Sequence, residues 1–218
     1  MPPSTLLHIE DDPLWGVLVG EMVRGWPEVQ YLALAVTGPD GIAQSTRLQP
    51  DLVLLDLQLP GAGGFDIAAA LARLPKPPRV IMLTMLTNDA VLYHATRPTI
   101  AGLLWKGDSI NAELRRAIAE SVAGRRCYSP RIQADLQALR GDPNAFFKIL
   151  SDREIDLLPW LGRGESDDRI AGRIGLQSTT VRSHRQHIMH KLRLSSTPEL
   201  MCWIEAKGFA LRPLAGRS

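Results

Sequence analysis

Five short apolar runs recur through the first half of the chain, TLLHI, YLALAV, LVLLD, RVIMLT and AGLLWK, and a helical pattern separates each from the next. The runs are rich in Val, Ile and Leu and lack polar alternation, as in strands buried on both faces. Parallel strands need crossover connections of this length, so the repeating order implies a mainly parallel five-stranded sheet with helices on both faces. The first helix opens in DDPLWGVLVGEMVRGW. There Asp12 can cap, Pro13 suits the first helical position, and Leu14, Leu18 and Met22 recur at helical spacing. Further helices are expected at 39–48, 65–74, 87–97 and 108–122.

In such a sheet ligands bind beyond the carboxyl ends of the strands, where strand order reverses. The stretch DLVLLDLQLPGAGGF runs four apolar residues into Asp56 and then breaks at Pro60, Gly61, Gly63 and Gly64. Asp56 is thus aimed at the crevice. Other strand ends supply Glu10, Asp11 and Asp12, then Thr84, then Lys106. Clustered carboxylates suit a hard cation such as Mg2+, and a lysine ammonium and a threonine hydroxyl suit phosphate. Each residue also has a plainer reading: Asp12 as a helix cap, Thr84 as a strand-end hydroxyl, Lys106 as a solvated charge.

Over residues 4–122 the chain resembles the receiver domain of bacterial two-component response regulators. The resemblance rests on DD after the first strand, D-x-x-x-P-x-x-x-G at Asp56, Pro60 and Gly64, Thr84, and Lys106 ahead of GDS. It implies a flavodoxin-like α/β fold, Asp56 as phosphoacceptor, Thr84 and Lys106 on the phosphate, and Mg2+ held by Asp11, Asp12, Asp56 and the main-chain carbonyl of Gln58. Two positions depart from the family pattern. Met85 stands where a small residue is usual, and Leu103 stands where a Tyr or Phe is usual three residues before the lysine.

Residues 123–147 read as a linker with a helix at about 130–140, ended by Gly141 and Pro143. The remainder is helical. Ser151 and Glu154 form a capping box at LSDREIDLLPWL, a second helix starts near Ser166 and stops at Gly175, and LQSTTVRSHRQHIMHKLRL follows. Val181, Ile188 and Leu192 mark its apolar face, and no acid occurs from 177 to 194. Charge shifts in the same sense: residues 1–147 carry 13 basic and 15 acidic side chains, net −2, and residues 148–218 carry 12 and 8, net +4. Two helices joined by a short turn, the second basic at its start, form a helix-turn-helix, whose second helix enters the major groove.

This segment resembles the LuxR-type DNA-binding domain. LSDREIDLL is similar to its LTxREIEVL, and DRIAGRIGLQSTTVRSHRQHIMHKL to its xEIAxxLxxSxxTVxxHxxxIxxKL. By that resemblance Arg182, Ser183 and Gln186 face bases, while Thr180, His184, Arg185 and Lys191 serve the DNA backbone or position the helix. Together the two resemblances imply a NarL/FixJ-type response regulator. Its expected divisions are a receiver at 1–122, a linker at 123–147, an all-α four-helix domain at 148–212 and a tail at 213–218. Expected partners are a histidine kinase and DNA, bound as a homodimer with the helix near 196–207 at the interface.

Three other functions compete with this reading. One is a protein-interaction regulator that never touches DNA, which the basic helix at 178–192 argues against. Another is a regulator that gates DNA binding without phosphorylation, suggested by Met85 and Leu103. The third is a phosphatase, which needs an acid two residues after its nucleophile; Gln58 stands there and cannot transfer a proton at neutral pH, so no enzyme is expected. Cys127 and Cys202 fall in no metal-ligand spacing. The N-terminus lacks the basic start of a signal peptide, and no apolar run reaches the roughly 18 residues a membrane helix needs. A soluble cytoplasmic protein is expected.

Overall fold

The computed structural model describes residues 2–61, 63–108 and 110–209, so the expected tail at 213–218 lies outside the described residues. They form two compact units, one from residues up to 87 and 94–135, the other from 88–93 and the residues from 136 onward.

The first unit is built on six parallel strands: β1 (Ser4–Ile9), β2 (Val29–Ala35), β3 (Leu52–Asp56), β4 (Arg79–Thr84), β5 (Ile100–Trp105) and β6 (Cys127–Tyr128), in the order β2-β1-β3-β4-β5-β6. Central β3 is buried at every residue. Its leucines and valine each contribute about 1.5–3 kcal/mol by leaving water. Register across the centre pairs Ile9 with Leu55, Asp56 with Leu83, and Thr84 with Trp105, which brings the strand ends level.

The sixth strand falls where the sequence reads as linker. It has only two residues, too few for any periodicity, and pairs Gly102 with Cys127 and Leu103 with Tyr128. Glycine is required at 102, where a Cβ would meet the Cys127 carbonyl oxygen at 2.6 Å.

Between the strands lie α1 (Pro13–Arg24), α2 (Gly38–Leu48), α3 (Gly64–Leu71), α4 (Asp89–Ala95) and α5 (Ile110–Val122); α6 (Pro130–Gly141) follows β6. One face of the sheet, with Leu6, Leu54, Ile81, Leu83 and Leu104, packs on Val19 and Val23 of α1 and Leu114, Ala117 and Ile118 of α5. The buried face of α1 is therefore Gly16, Val19, Gly20 and Val23, not the stripe through Leu14 and Leu18, which are 75% and 44% exposed. The small residues bring the helix close to the sheet: a Cβ on Gly16 would meet the Leu34 side chain at 2.8 Å.

The second unit carries α7 (Phe146–Ile149), α8 (Asp152–Gly162), α9 (Asp167–Ile174), α10 (Ser178–Lys191) and α11 (Thr197–Ala206). Ser151 and Glu154 make the capping box at the start of α8, Ser166 caps α9, and Gly175, at φ 67°, ends it in the left-handed conformation. Phe146, Ile155, Leu158, Ile170, Val181, Ile188, Leu200 and Ile204 share one core. No helix among the described residues is long and apolar enough to cross a membrane.

Candidate functional site

Where β1, β3 and β5 end, one lysine serves two carboxylates. Lys106 Nζ lies 2.9 Å from Asp56 Oδ1 and 2.7 Å from Glu10 Oε2, and all three side chains are buried. The other Asp56 oxygen accepts the Gln58 amide at 2.9 Å. The backbone fixes the lysine as well, since its amide donates to the Thr84 carbonyl at 2.8 Å and its ammonium sits 5.0 Å from the centre of the Trp15 ring. Gly64 lets α3 begin against the end of β3, for a Cβ there would meet the Asp56 carbonyl oxygen at 2.8 Å.

Charge in this cluster does not cancel. Carboxylate oxygens of Glu10, Asp11 and Asp56 lie within 4.8 Å of one another, so three acids face one ammonium. Burial, and then the charge of Asp56, push Glu10 up to about 7. Burial also raises Asp11. For Lys106 burial works against the charged form, but the charge of Asp56 and the hydrogen bond it donates to Glu10 outweigh it, and its pKa is raised. Lys106 therefore keeps its proton, while burial and the charge of Asp56 oppose ionisation of Glu10. An all-oxygen trio with excess negative charge fits a hard divalent cation such as Mg2+.

The expected acidic pair is displaced by one residue. Asp12 is exposed, and its Oδ1 accepts the amides of Leu14 and Trp15 at 2.8 and 3.3 Å as the N-cap of α1. It therefore stands outside the trio, and Glu10 takes its place; Glu10 Oε1 in turn accepts the Asp12 amide at 3.3 Å. Pro13 carries the signal that identifies this, because a proline at the first helical position makes the preceding residue the cap. Thr84 is fully buried, with its hydroxyl between the amide of Leu86 (2.8 Å) and its carbonyl (3.1 Å). Met85 is 55% exposed and Leu103 fully buried. Sequence reasoning gave His8 no role. It lies fully buried two residues before Glu10, with neither ring nitrogen hydrogen-bonded, and burial and then Lys106 lower it to about 3.

In the second unit the residues expected at DNA divide into two sets. Arg182, Ser183 and Gln186 are exposed on α10, with Thr180 and His184 half-buried. Arg185 turns inward to Asp167 at the start of α9, and Lys191 Nζ lies 2.7 Å from Glu154 Oε2 on α8. Burial works against ionised Glu154, but its bonds from Lys191 and Ser151 outweigh this and lower its pKa.

Residues 6–119 match the response regulator receiver domain, and residues 148–204 match the luxR family of bacterial regulatory proteins. The nitrate/nitrite response regulator protein NarL of Escherichia coli K12 is 28% identical over 206 residues, which take in 93% of this chain and 95% of NarL. Response regulator GacA of Pseudomonas viridiflava is 29% identical over 198 residues, 89% of this chain and 92% of its own. Among solved structures, RcsB of Salmonella enterica serovar Typhimurium, bound to promoter rprA in the presence of the phosphomimetic BeF3−, shares the fold with a TM-score of 0.68, covering 93% of this chain and 98% of its own at 19% identity. The receiver match alone spans more than half of the chain, and the comparisons agree with the two resemblances in its sequence. The chain belongs to the two-component response regulators, with a receiver domain followed by a luxR-family DNA-binding domain.

Proposed function

We propose that Asp56 is the phosphoacceptor of this regulator, with Lys106 and Thr84 as its phosphate-binding partners. The observation that carries the reading is the pairing of Asp56 Oδ1 with Lys106 at 2.9 Å, inside a trio of carboxylates and at the ends of the central strands. In the transfer, an Asp56 oxygen forms a bond to phosphorus as the bond from phosphorus to an imidazole nitrogen of the partner kinase breaks. Lys106 stays beside the oxygen that carries the developing charge, as a point charge already in place. The Gln58 amide holds the other Asp56 oxygen and orients the carboxylate. Thr84 reaches the phosphate by turning its hydroxyl away from Leu86.

Glu10, Asp11 and Asp56, with the main-chain carbonyl of Gln58, would hold Mg2+, which when bound offsets charge on the phosphoryl oxygens. Gln58 leaves no proton-transferring acid two residues after Asp56, which favours a slowly hydrolysed signal over a phosphatase.

Arg182, Ser183 and Gln186 read bases from α10, while Thr180 and His184 support the backbone contact. Arg185 and Lys191 position the helix. A cytoplasmic homodimer, joined through α11, would place two α10 helices on half-sites about one turn, roughly 34 Å, apart. The test is labelling by a small phosphodonor with Mg2+, followed by DNA selection with and without the donor. One acid-stable, base-labile phosphoryl group that disappears in Asp56→Ala is expected; labelling that survives this substitution overturns the assignment.

A further inference from the structure

We infer that Asp167 is a positioning residue for DNA recognition, an internal competitor that withholds arginine charge from phosphate and so limits binding to unselected DNA. The inference rests on the reading that α10 faces DNA, and it starts from a convergence. Arg182 and Arg185 stand three residues apart on α10, on neighbouring surface positions, and both reach the same carboxylate. Their contacts are unequal. Arg185 is 24% exposed and bonds Asp167 Oδ1 through a terminal nitrogen, while Arg182 is 69% exposed with its Nε 3.6 Å from Oδ2, outside hydrogen-bond range. Asp167 itself is only 11% exposed.

The inward turn of Arg185 leaves its Nε buried with no hydrogen-bond partner, a cost set against its bond to Asp167. The acid holds it there. With Lys191 tied to Glu154 as well, two of the three permanent charges on α10 are matched inside the unit. Arg182 is the third, loosely attracted and free to leave. Asp167 therefore splits the pair: Arg185 is kept as a strut, and Arg182 is restrained until a groove offers it better partners. A base edge with two acceptors can outcompete a contact at 3.6 Å through a bidentate fork, whereas a single phosphate gains less over the carboxylate it replaces. The acid thus penalises phosphate-only binding more than sequence-specific binding.

The experiment measures binding of the full-length protein to two duplexes, one selected by the wild type and one of shuffled sequence, across a range of salt. Asp167→Asn keeps the side chain's shape and removes its charge. Its log-log salt slope should steepen by about one for each arginine released, and its affinity for shuffled DNA should rise about threefold or more at low salt while the preference for the selected duplex falls. Adding Arg185→Gln to Asp167→Asn should return much of the slope. An unchanged or shallower slope in Asp167→Asn, with Arg182→Gln still weakening binding, overturns the inference and leaves α10 on DNA. Binding untouched by both Arg182→Gln and Arg185→Gln removes α10 from DNA and the inference with it. Circular dichroism melting of each variant separates a lost fold from a changed slope: loss of binding together with loss of the folded transition in Asp167→Asn would assign Asp167 to structure and overturn the inference.

Discussion

Glu10→Gln should stabilise the receiver at pH 8 while weakening its hold on Mg2+. Glu10 has a folded-state pKa of about 7 against 4.5 for the free side chain. That difference corresponds to about 3 kcal/mol, at roughly 1.4 kcal/mol for each pK unit. Because the folded value is the higher one, the contribution is fully present below 4.5 and is lost as pH rises through 7. Charged Glu10 at pH 8 therefore opposes folding: its bond to Lys106 at 2.7 Å does not offset burial and the charge of Asp56. Glutamine keeps the shape but remains a buried polar group, which trims the expected gain to about 2 kcal/mol.

His8 provides an internal check. Its folded value of about 3 lies below its ordinary 6.5, so its contribution is full above 6.5 and is lost as pH falls toward 3. Between pH 4.5 and 6.5 the two groups pull in opposite directions. Wild-type stability should be nearly level there, whereas Glu10→Gln should gain stability as pH rises. Urea unfolding of the receiver transition in the presence of a chelator measures both effects. Repeating it with Mg2+ should show a smaller stabilisation by the ion in the variant, since one charged oxygen ligand is gone. A variant less stable than wild type at pH 8 in chelator would refute the reasoning, because the Glu10–Lys106 bridge would then outweigh the repulsion and burial it suffers.

Lys191→Ala leaves the Glu154 carboxylate to Ser151 alone, and should lower the stability of the DNA-binding domain by about 1 kcal/mol in thermal unfolding, with little change in the salt slope of DNA binding. Arg182→Ala should cost about 1–3 kcal/mol on a selected duplex and relax preference at one base pair per half-site; equal weakening on every sequence would move Arg182 to the phosphates. Ser151→Ala removes the capping hydroxyl of α8 and should cost about 1 kcal/mol, read from the same thermal transition. Leu103→Tyr must fit a larger ring where the side chain is fully buried, and calorimetry should find the receiver less stable by about 1–3 kcal/mol.

The parts of this fold and site that could be read in the sequence are those that a residue reveals by breaking a local pattern. Asp56 and Lys106 end apolar runs, so their direction follows from the strands themselves. Choosing between two candidates in one neighbourhood is harder. Leu14 and Leu18 have helical spacing, but Gly16, Val19, Gly20 and Val23 form a second stripe on the same helix, and spacing does not say which one meets the sheet. Glu10 and Asp12 flank Asp11 as equivalent acids until the proline after Asp12 is taken as the start of the helix. The strand at Cys127–Tyr128 is held by pairing to β5 rather than by any pattern of its own. Charge on α10 is the clearest case. The basic residues are visible, but their acids lie 18 residues away at Asp167 and 37 at Glu154, on other helices. A helix that reads as uniformly basic therefore presents less charge to DNA than its sequence suggests, because tertiary pairing has already committed two of its three permanent cations.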